Sequence, residues 1–467
     1  MTVHLFGAVS SPSCACYALR KTAEDNKHMF PTEVIDSVHN NFYVDDFLKS
    51  LPSQHEAIQM VKDLAALCHK GGFHLTQWIS NNREVLQTIP EKDRSKNLRE
   101  LNLDRDELPI ERALGLYWCV QTDTFKFKMM EKERPHTRRG ILSVVSSVYD
   151  PLGFLVPVTL PAKLMLQELC RKNYGWDDQI PQSLEQQWIK WLTDLQQVNA
   201  FKVDRCIKAQ DFGQLDHAQL HHFSDASENG YGTVTYLRLQ NQNNVHVSFL
   251  LGKSRVAPLK QITIPRLELT AAVLAVRIDK MLRTELQLPL DDSCFWTDST
   301  SVLKYIKNEE KRFRTFVANR VSTIREITDI TQWRYIHTTQ NPADDASRGL
   351  KVGKLITNKR WLKGPDFLRT TKEEWPEVNL DCCIAPEDPE LKREHKINAV
   401  IIETNNSVLI RSFTLRSPSR TRSRTAAQPD RSTTYPPRRT RALRERDGEP
   451  LRGEGREEPR VGASDTA

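Results

Sequence analysis

"CFWTDSTSVLKYI" (residues 294–306) decides how the chain folds. Cys294 to Thr297 reads as a short buried strand that stops at Asp298. Ser299 and Thr300 follow it, residue types whose hydroxyls accept the free N–H groups at a helix start. A strand, an acid at its end and a capped helix make one step of an α/β domain. Working outward, residues 216–350 repeat this grammar as strand, Gly turn, strand, strand, helix, strand, helix, helix, strand, helix. "LHHFSDAS" (220–227) sets Asp225 at the end of the first strand, and "NGYGTVTYLR" and "NVHVSFLLGKSRV" continue as an antiparallel meander. "TIPRLELTAAVLAVRIDKML" (263–282) is a helix with Pro265 in its first turn, a favourable place for Pro. Glu268 lies one turn in, and Ala271, Ala272 and Ala275 share its side, which permits close approach to a sheet. "WRYIHTTQNPADDASRG" (333–349) is a strand, a turn and a helix start that carries Asp344 and Asp345.

Taken singly, Asp298 reads as a helix cap and Glu268 as a solvated helix face. Four acids at a strand end, a helix start, a strand end and a helix start can instead converge. Such a cluster is costly unless divalent cations neutralise it, and Mg²⁺ prefers oxygen ligands. Two such ions roughly 4 Å apart can activate a water and stabilise a leaving oxygen in phosphodiester cleavage.

The 467 residues suggest about three domains. With 39% hydrophobic residues, sizeable cores are possible. No apolar run approaches the roughly 20 residues of a membrane span, and the N-terminus lacks the basic-then-apolar pattern of a signal peptide. Nine scattered cysteines without a CxxC pair suggest reduced thiols in an intracellular setting, cytoplasmic or nuclear. The net charge is +7, yet the segment from Arg411 onward holds 14 Arg against 8 acidic residues. The rest is close to neutral, so the overall charge is no argument for nucleic-acid binding. That tail contains no Lys and almost no large hydrophobes. It cannot bury enough apolar area to offset its chain entropy and is expected to be disordered.

"FSDAS", "LELTAA", "WTDS" and "NPADDASRG", in that order, resemble the ribonuclease H domain of long-terminal-repeat retroelements, closest in phrasing to the BEL/Pao type. The resemblance implies that Asp225, Glu268, Asp298 and Asp344 are catalytic acids and ligands of two Mg²⁺ or Mn²⁺ ions. Asp344 is preferred to Asp345 because it holds the acid position of the family pattern. Many such enzymes carry a His near the last strand; Tyr335 falls at about that place and His337 two residues on, so no catalytic His is assigned. "RRGILSVVSSVYDPLGFLVPVTLPAKLMLQELC" (138–170) is also similar to Pao-type polyproteins.

"FYVDDFLK" (42–49) presents a second pair of acids, Asp45 and Asp46. By themselves they read as a hairpin turn, where Asp is common. "YVDD" resembles the palm hairpin of reverse transcriptases, flanked by a pocket-lining segment before it and by "GGFHLTQWISN" and "LGLYW" after it. Where the family often has Lys, this chain has Gln77. The palm chemistry needs a further carboxylate from an earlier strand, so a polymerase remnant without DNA synthesis is expected. No Asp-Thr-Gly or Asp-Ser-Gly peptidase motif occurs, and residues 396–415 resemble only the beginning of an integrase.

The expected layout is a mixed α/β and α+β chain of several domains. It comprises an incomplete palm and primer grip (1–130), a helical thumb- or connection-like region (131–215), a ribonuclease H-like domain (216–350), a linker (351–410) and the disordered tail (411–467). The implied partner is an RNA–DNA hybrid, with other Pol segments as further partners. Lys304, Lys307, Lys311, Arg312 and Arg314, on or beside the helix after Asp298, are the candidate backbone contacts; Lys253, Arg255, Lys260 and Arg266 cluster before Glu268. Such contacts carry little sequence information. Two readings compete with the nuclease: a non-catalytic nucleic-acid-binding relic, and a body that merely carries an Arg-rich working tail.

Overall fold

The computed structural model describes residues 9–129, 134–209, 212–378, 383–392, 403–404 and 407–408. The Arg-rich tail and nearly all of the integrase-like stretch lie outside the described residues. In residues 403–408, Glu403–Thr404 and Ser407–Val408 pair antiparallel.

The first part is built from short elements with their own small cores. Helices α1 (Ser11–Asp25), α2 (Thr32–Asn40) and α3 (Gln54–Lys70) bury Leu19, Val34, Val38, Met60, Leu64 and Leu67 together. Ser53 caps α3 by accepting from the Glu56 N–H at 3.2 Å. Between α2 and α3, β1 (Phe42–Tyr43) and β2 (Asp46–Phe47) form a two-stranded hairpin. Two short helices, α4 (Arg83–Thr88) and α5 (Lys96–Arg99), lead to β3 (Ile110–Ala113), β4 (Leu116–Cys119) and β5 (Thr124–Lys126). Three helices then follow: α6 (Arg138–Ser147), α7 (Val156–Arg171) and α8 (Gln182–Leu195). After them β6 (Lys202–Asp204) completes an antiparallel sheet in the order β3-β4-β5-β6.

The element order from residue 217 onward is the one the sequence suggested. Strands β7 (His217–Ala226), β8 (Gly230–Gln240) and β9 (Val245–Val256) form the meander. They are followed by α9 (Ile264–Glu285), β10 (Cys294–Thr297), α10 (Thr300–Lys307), α11 (Thr315–Ile327), β11 (Trp333–Tyr335) and α12 (Ala343–Arg348). The sheet order is β11-β10-β7-β8-β9, with β10 parallel to both β7 and β11. Because strand side chains alternate between faces, the sheet separates two cores. His222, Phe295 and Trp333 are register partners that stack with ring centroids 4.9 and 4.8 Å apart, and Phe295 and Trp333 pack with α9, α10 and α11. Phe223 and Trp296 stack on the opposite face.

That opposite face is where the structure departs from the expected layout. Residues 352–375, read as linker, form α13 (Val352–Thr357), α14 (Arg360–Lys363) and short turns. Val352, Leu355, Trp361, Leu368 and Trp375 join one core with Phe223, Tyr236 and Trp296 of the sheet and with Leu155, Val158, Trp188 and Trp191 of α7, α8 and the turn before α7. The Trp361 indole donates to the Phe154 carbonyl at 2.9 Å, and the Tyr236 hydroxyl donates to the Trp361 carbonyl at 2.7 Å. The sparse apolar residues of this stretch looked like a linker because each is separated by charge; they are nevertheless the sheet's lid. The seam is close: Gly153 has φ +82°, and a side chain there would lie 1.9 Å from the Gly252 carbonyl oxygen of β9. Among the described residues no helix is long and apolar enough to cross a membrane.

Candidate active site

Register brings the first two acids together. Ser224 of β7 pairs with Thr297 of the parallel strand β10, so the next residues, Asp225 near the end of β7 and Asp298 just after β10, lie at the same end of the sheet. Glu268 reaches that end from the first turns of α9, whose Ala271, Ala272 and Ala275 are buried. Helix α12 closes over it because Gly232, opposite Asp225 in β8, has no side chain: a Cβ there would meet the Ala346 Cβ at 2.6 Å.

Burial and neighbouring charge act on two of the carboxylates. Asp225, only 5% exposed, is pushed up to about 7 by burial and by the charges of Asp298 and Asp344, against the stabilising hydrogen bond that Ser347 donates. Glu268 is raised by burial and by the Asp298 charge, while the Ser299 hydroxyl, donating at 2.5 Å, holds it down. Asp298 is thus the shared neighbour of both. It is fixed by Asn341, whose buried amide donates to Asp298 Oδ1 at 3.2 Å and to the Ser224 carbonyl at 3.1 Å. Ser299 also accepts from the Val302 N–H at 3.2 Å, so the expected cap and the acid-holding hydroxyl are one group.

The two neighbours on α12 separate cleanly. Asp344 pairs with Arg348 one turn on and lies 4.0 Å from Arg360. Asp345 points into the protein and receives Arg360 on both oxygens, at 2.5 and 3.3 Å. Burial raises Asp345, and Arg360 opposes that shift. Asp345 is therefore engaged in an internal ion pair, whereas Asp344 acts electrostatically on Asp225. Arg348, 62% exposed, also feels the charges of Asp225 and Asp298 after that of Asp344. Among the described residues no three carboxylate, imidazole or thiol groups converge closely enough to enclose an ion as they stand. Ser347, Ser299 and Arg348 hold Asp225, Glu268 and Asp344 in their present positions. Asn341, Ser347 and Arg348 all sit within the "NPADDASRG" motif, but the sequence carried no sign of their hydrogen-bond roles.

The other candidates sit elsewhere. Asp45 and Asp46 are exposed at the hairpin turn, where Val44 has φ +58°. Gln77 also has a positive φ and accepts from the Lys96 N–H at 3.3 Å. Tyr335 ends β11, and the His337 ring pairs with the Thr339 hydroxyl at 2.9 Å. Lys304 and Lys307 lie on α10, while Lys311, Arg312 and Arg314 fall in its connection to α11 and not on a helix.

Residues 137–299 match the family described as the Pao retrotransposon-like RNaseH-like domain. The match contains Asp225, Glu268 and Asp298; Asp344 lies beyond it. No curated protein sequence matches the chain. Among solved structures, the chain is similar to RNase H1 of the halophilic archaeon Halobacterium salinarum, at 14% identity and TM-score 0.21, over 28% of this chain and 94% of that one. It is similar to LC11-RNase H1 in complex with RNA/DNA hybrid at 13% identity and TM-score 0.21, over 28% and 92%. Similarity to the foamy viral protease-reverse transcriptase in complex with double-stranded DNA is 13% identity and TM-score 0.39, over 66% of this chain and 48% of that one. The family match supports the retrotransposon and RNase H-like reading of the motifs.

Proposed function

We propose that this Pao-like segment is a ribonuclease H: a divalent-metal-dependent endonuclease for the RNA strand of RNA–DNA hybrids. The observation that carries the reading is geometric: parallel register brings Asp225 and Asp298 to one end of the sheet, and Ser299, the residue after Asp298, donates to Glu268. The donor set fits a hard divalent cation. It is all oxygen, neighbouring negative charge helps to raise Asp225 and Glu268, and Asp344 pairs with the exposed Arg348. Asp225, Glu268 and Asp298 would hold the ions, with Asp344 completing the second position. When bound, Mg²⁺ or Mn²⁺ supplies activation of a water and stabilisation of the leaving oxygen. The chain's own groups do the positioning. Asn341 fixes Asp298 against β7, Ser299 orients Glu268, and Ser347 orients Asp225. Arg348 is free to exchange Asp344 for a substrate phosphate, since a guanidinium fork suits either anion. Lys304, Lys307, Lys311, Arg312 and Arg314 would contact the backbone, and discrimination of RNA from DNA would come from the 2′-OH and hybrid shape.

The test is cleavage of an end-labelled RNA–DNA hybrid by the purified full chain with Mg²⁺ or Mn²⁺, abolished by Asp298→Asn. A folded parent that binds hybrid yet cleaves nothing with either metal would establish the non-catalytic relic instead. We also propose that Asp45 and Asp46, exposed at their hairpin turn, do not support DNA synthesis. Primer extension that disappears with Asp45→Asn would overturn this.

A further inference from the structure

Residues 383–392, "CIAPEDPELK", run along the surface formed by the start of α9, the end of α10 and the α10–α11 connection. Three of the ten side chains are acidic: Glu387, Asp388 and Glu390. Two cationic side chains, Arg266 and Lys311, hold the segment. Arg266, two residues before Glu268, donates to both oxygens of Glu390 at 2.6 and 2.9 Å, and the Glu390 side chain is only 6% exposed. Lys311 donates from Nζ to the Ile384 carbonyl at 2.5 Å. The Arg314 N–H donates to the Glu390 carbonyl at 2.7 Å, and the Lys392 N–H to the Arg312 carbonyl at 2.8 Å. Tyr305 donates to Asp388 at 2.9 Å. Its hydroxyl is pushed up by burial first, then by Asp388, Glu390 and Glu268.

We propose that residues 383–392 occupy a phosphate-binding surface beside the acid cluster and compete for it with a nucleic-acid backbone. The inference rests on the nucleic-acid reading above. A carboxylate on a guanidinium fork takes the place that a phosphate would take with the same geometry. Three of the five residues assigned to backbone contact, Lys311, Arg312 and Arg314, lie in the α10–α11 connection against which the segment pairs; the Lys311 ammonium is itself held by the segment, and Arg312 and Arg314 meet it through their backbones. Arg266 is engaged by Glu390 within two residues of Glu268. Among the described residues the attachment includes a β-bridge between Phe313 and Leu391, an ion pair and a few hydrogen bonds. Such a segment opens at far lower cost than the domain it covers. Ile384 and Leu391, packed on the α9–α11 core, keep it seated when no polyanion is present.

The test uses the full chain, a fluorescent RNA–DNA hybrid and EDTA, so that binding is read without cleavage. Glu390→Gln combined with Asp388→Asn keeps the hydrogen-bonding shapes and removes the competing charge; hybrid affinity should rise several-fold. A second variant, Phe313→Cys with Leu391→Cys, locks the segment. The flanking bonds make this a non-hydrogen-bonded antiparallel pair, whose Cα separation of about 4.5 Å suits a disulfide. The oxidised lock should bind several-fold more weakly than the same protein reduced, while the parent, with its own cysteines, should not respond to reductant. If the parent binds hybrid and neither variant changes the affinity, the inference is wrong and the nuclease reading stands. If the parent and all variants, reduced lock included, fail to bind, both fall. Strap-dependent binding without cleavage in metal supports the inference and removes only the catalytic reading.

Discussion

The chain carries two sets of aspartates that look alike as text and differ as chemistry. Asp45 and Asp46 sit at a two-residue hairpin in water, each free to hydrate. Asp225 of β7 and Glu268 of α9 share Asp298 as a neighbour and are raised by burial and by its charge. Adjacency in sequence leaves the first pair exposed at its turn. Separation by 73 residues did not prevent coupling of Asp225 with Asp298, because parallel pairing of β7 and β10 places them side by side. Sheet register makes the acid site.

The sharpest break between the two sets is catalytic. Asp298→Asn should lower hybrid cleavage by at least about a hundredfold, as when a preorganised electrostatic group is removed. Asp45→Asn should leave the rate unchanged in the same single-turnover assay. Equal rates for Asp298→Asn and the parent would erase the distinction. The next largest effect is on stability against pH without metal. Asp225 has a folded-state value of about 7, above the ordinary carboxylate value of 3.8. The folded protein therefore binds more protons than the unfolded chain between those values, and stability falls as pH rises from about 4 to about 7. Denaturant melts should show Asp225→Asn more stable than the parent at pH 8, by an amount of order 2 kcal/mol, with the gain gone near pH 4. Asp345→Asn sharpens the contrast within α12. It leaves the Arg360 guanidinium without its carboxylate, costing about 1–3 kcal/mol in the same melts, with much less loss of cleavage than Asp344→Asn. The smallest effect belongs to the hairpin: Asp46→Asn should shift stability by no more than about 0.5 kcal/mol.

How much of this was legible follows from the range of the contacts. The element order around Asp225, Glu268, Asp298 and Asp344 could be read because each strand end and cap is local, and Ser299 shows both its capping role and its place beside an acid. The preference for Asp344 over Asp345 came from a family pattern; the geometry adds a reason, since Asp345 faces inward to Arg360. The stretch 351–378 was misread because its packing partners lie far away in sequence. Trp361 bonds to Phe154 and Tyr236, more than a hundred residues earlier, and nothing local distinguishes such a Trp from a loop residue. The strap 383–392 was invisible for the same reason: its acids look solvated until Arg266 and Tyr305 are placed against them.

The Gly153–Gly252 seam has a consequence for how such elements exchange parts. At that point the turn before α7 and strand β9 touch backbone to backbone, with the Gly252 N–H donating to the Leu152 carbonyl at 2.9 Å. A sheet sealed this way cannot be traded as residues 216–350 alone: a donor cut there would arrive without Trp361, Leu155 and the helices that cover its face. The core that covers this face draws residues from Leu116 to Trp375, and a graft cut inside those bounds should lose stability.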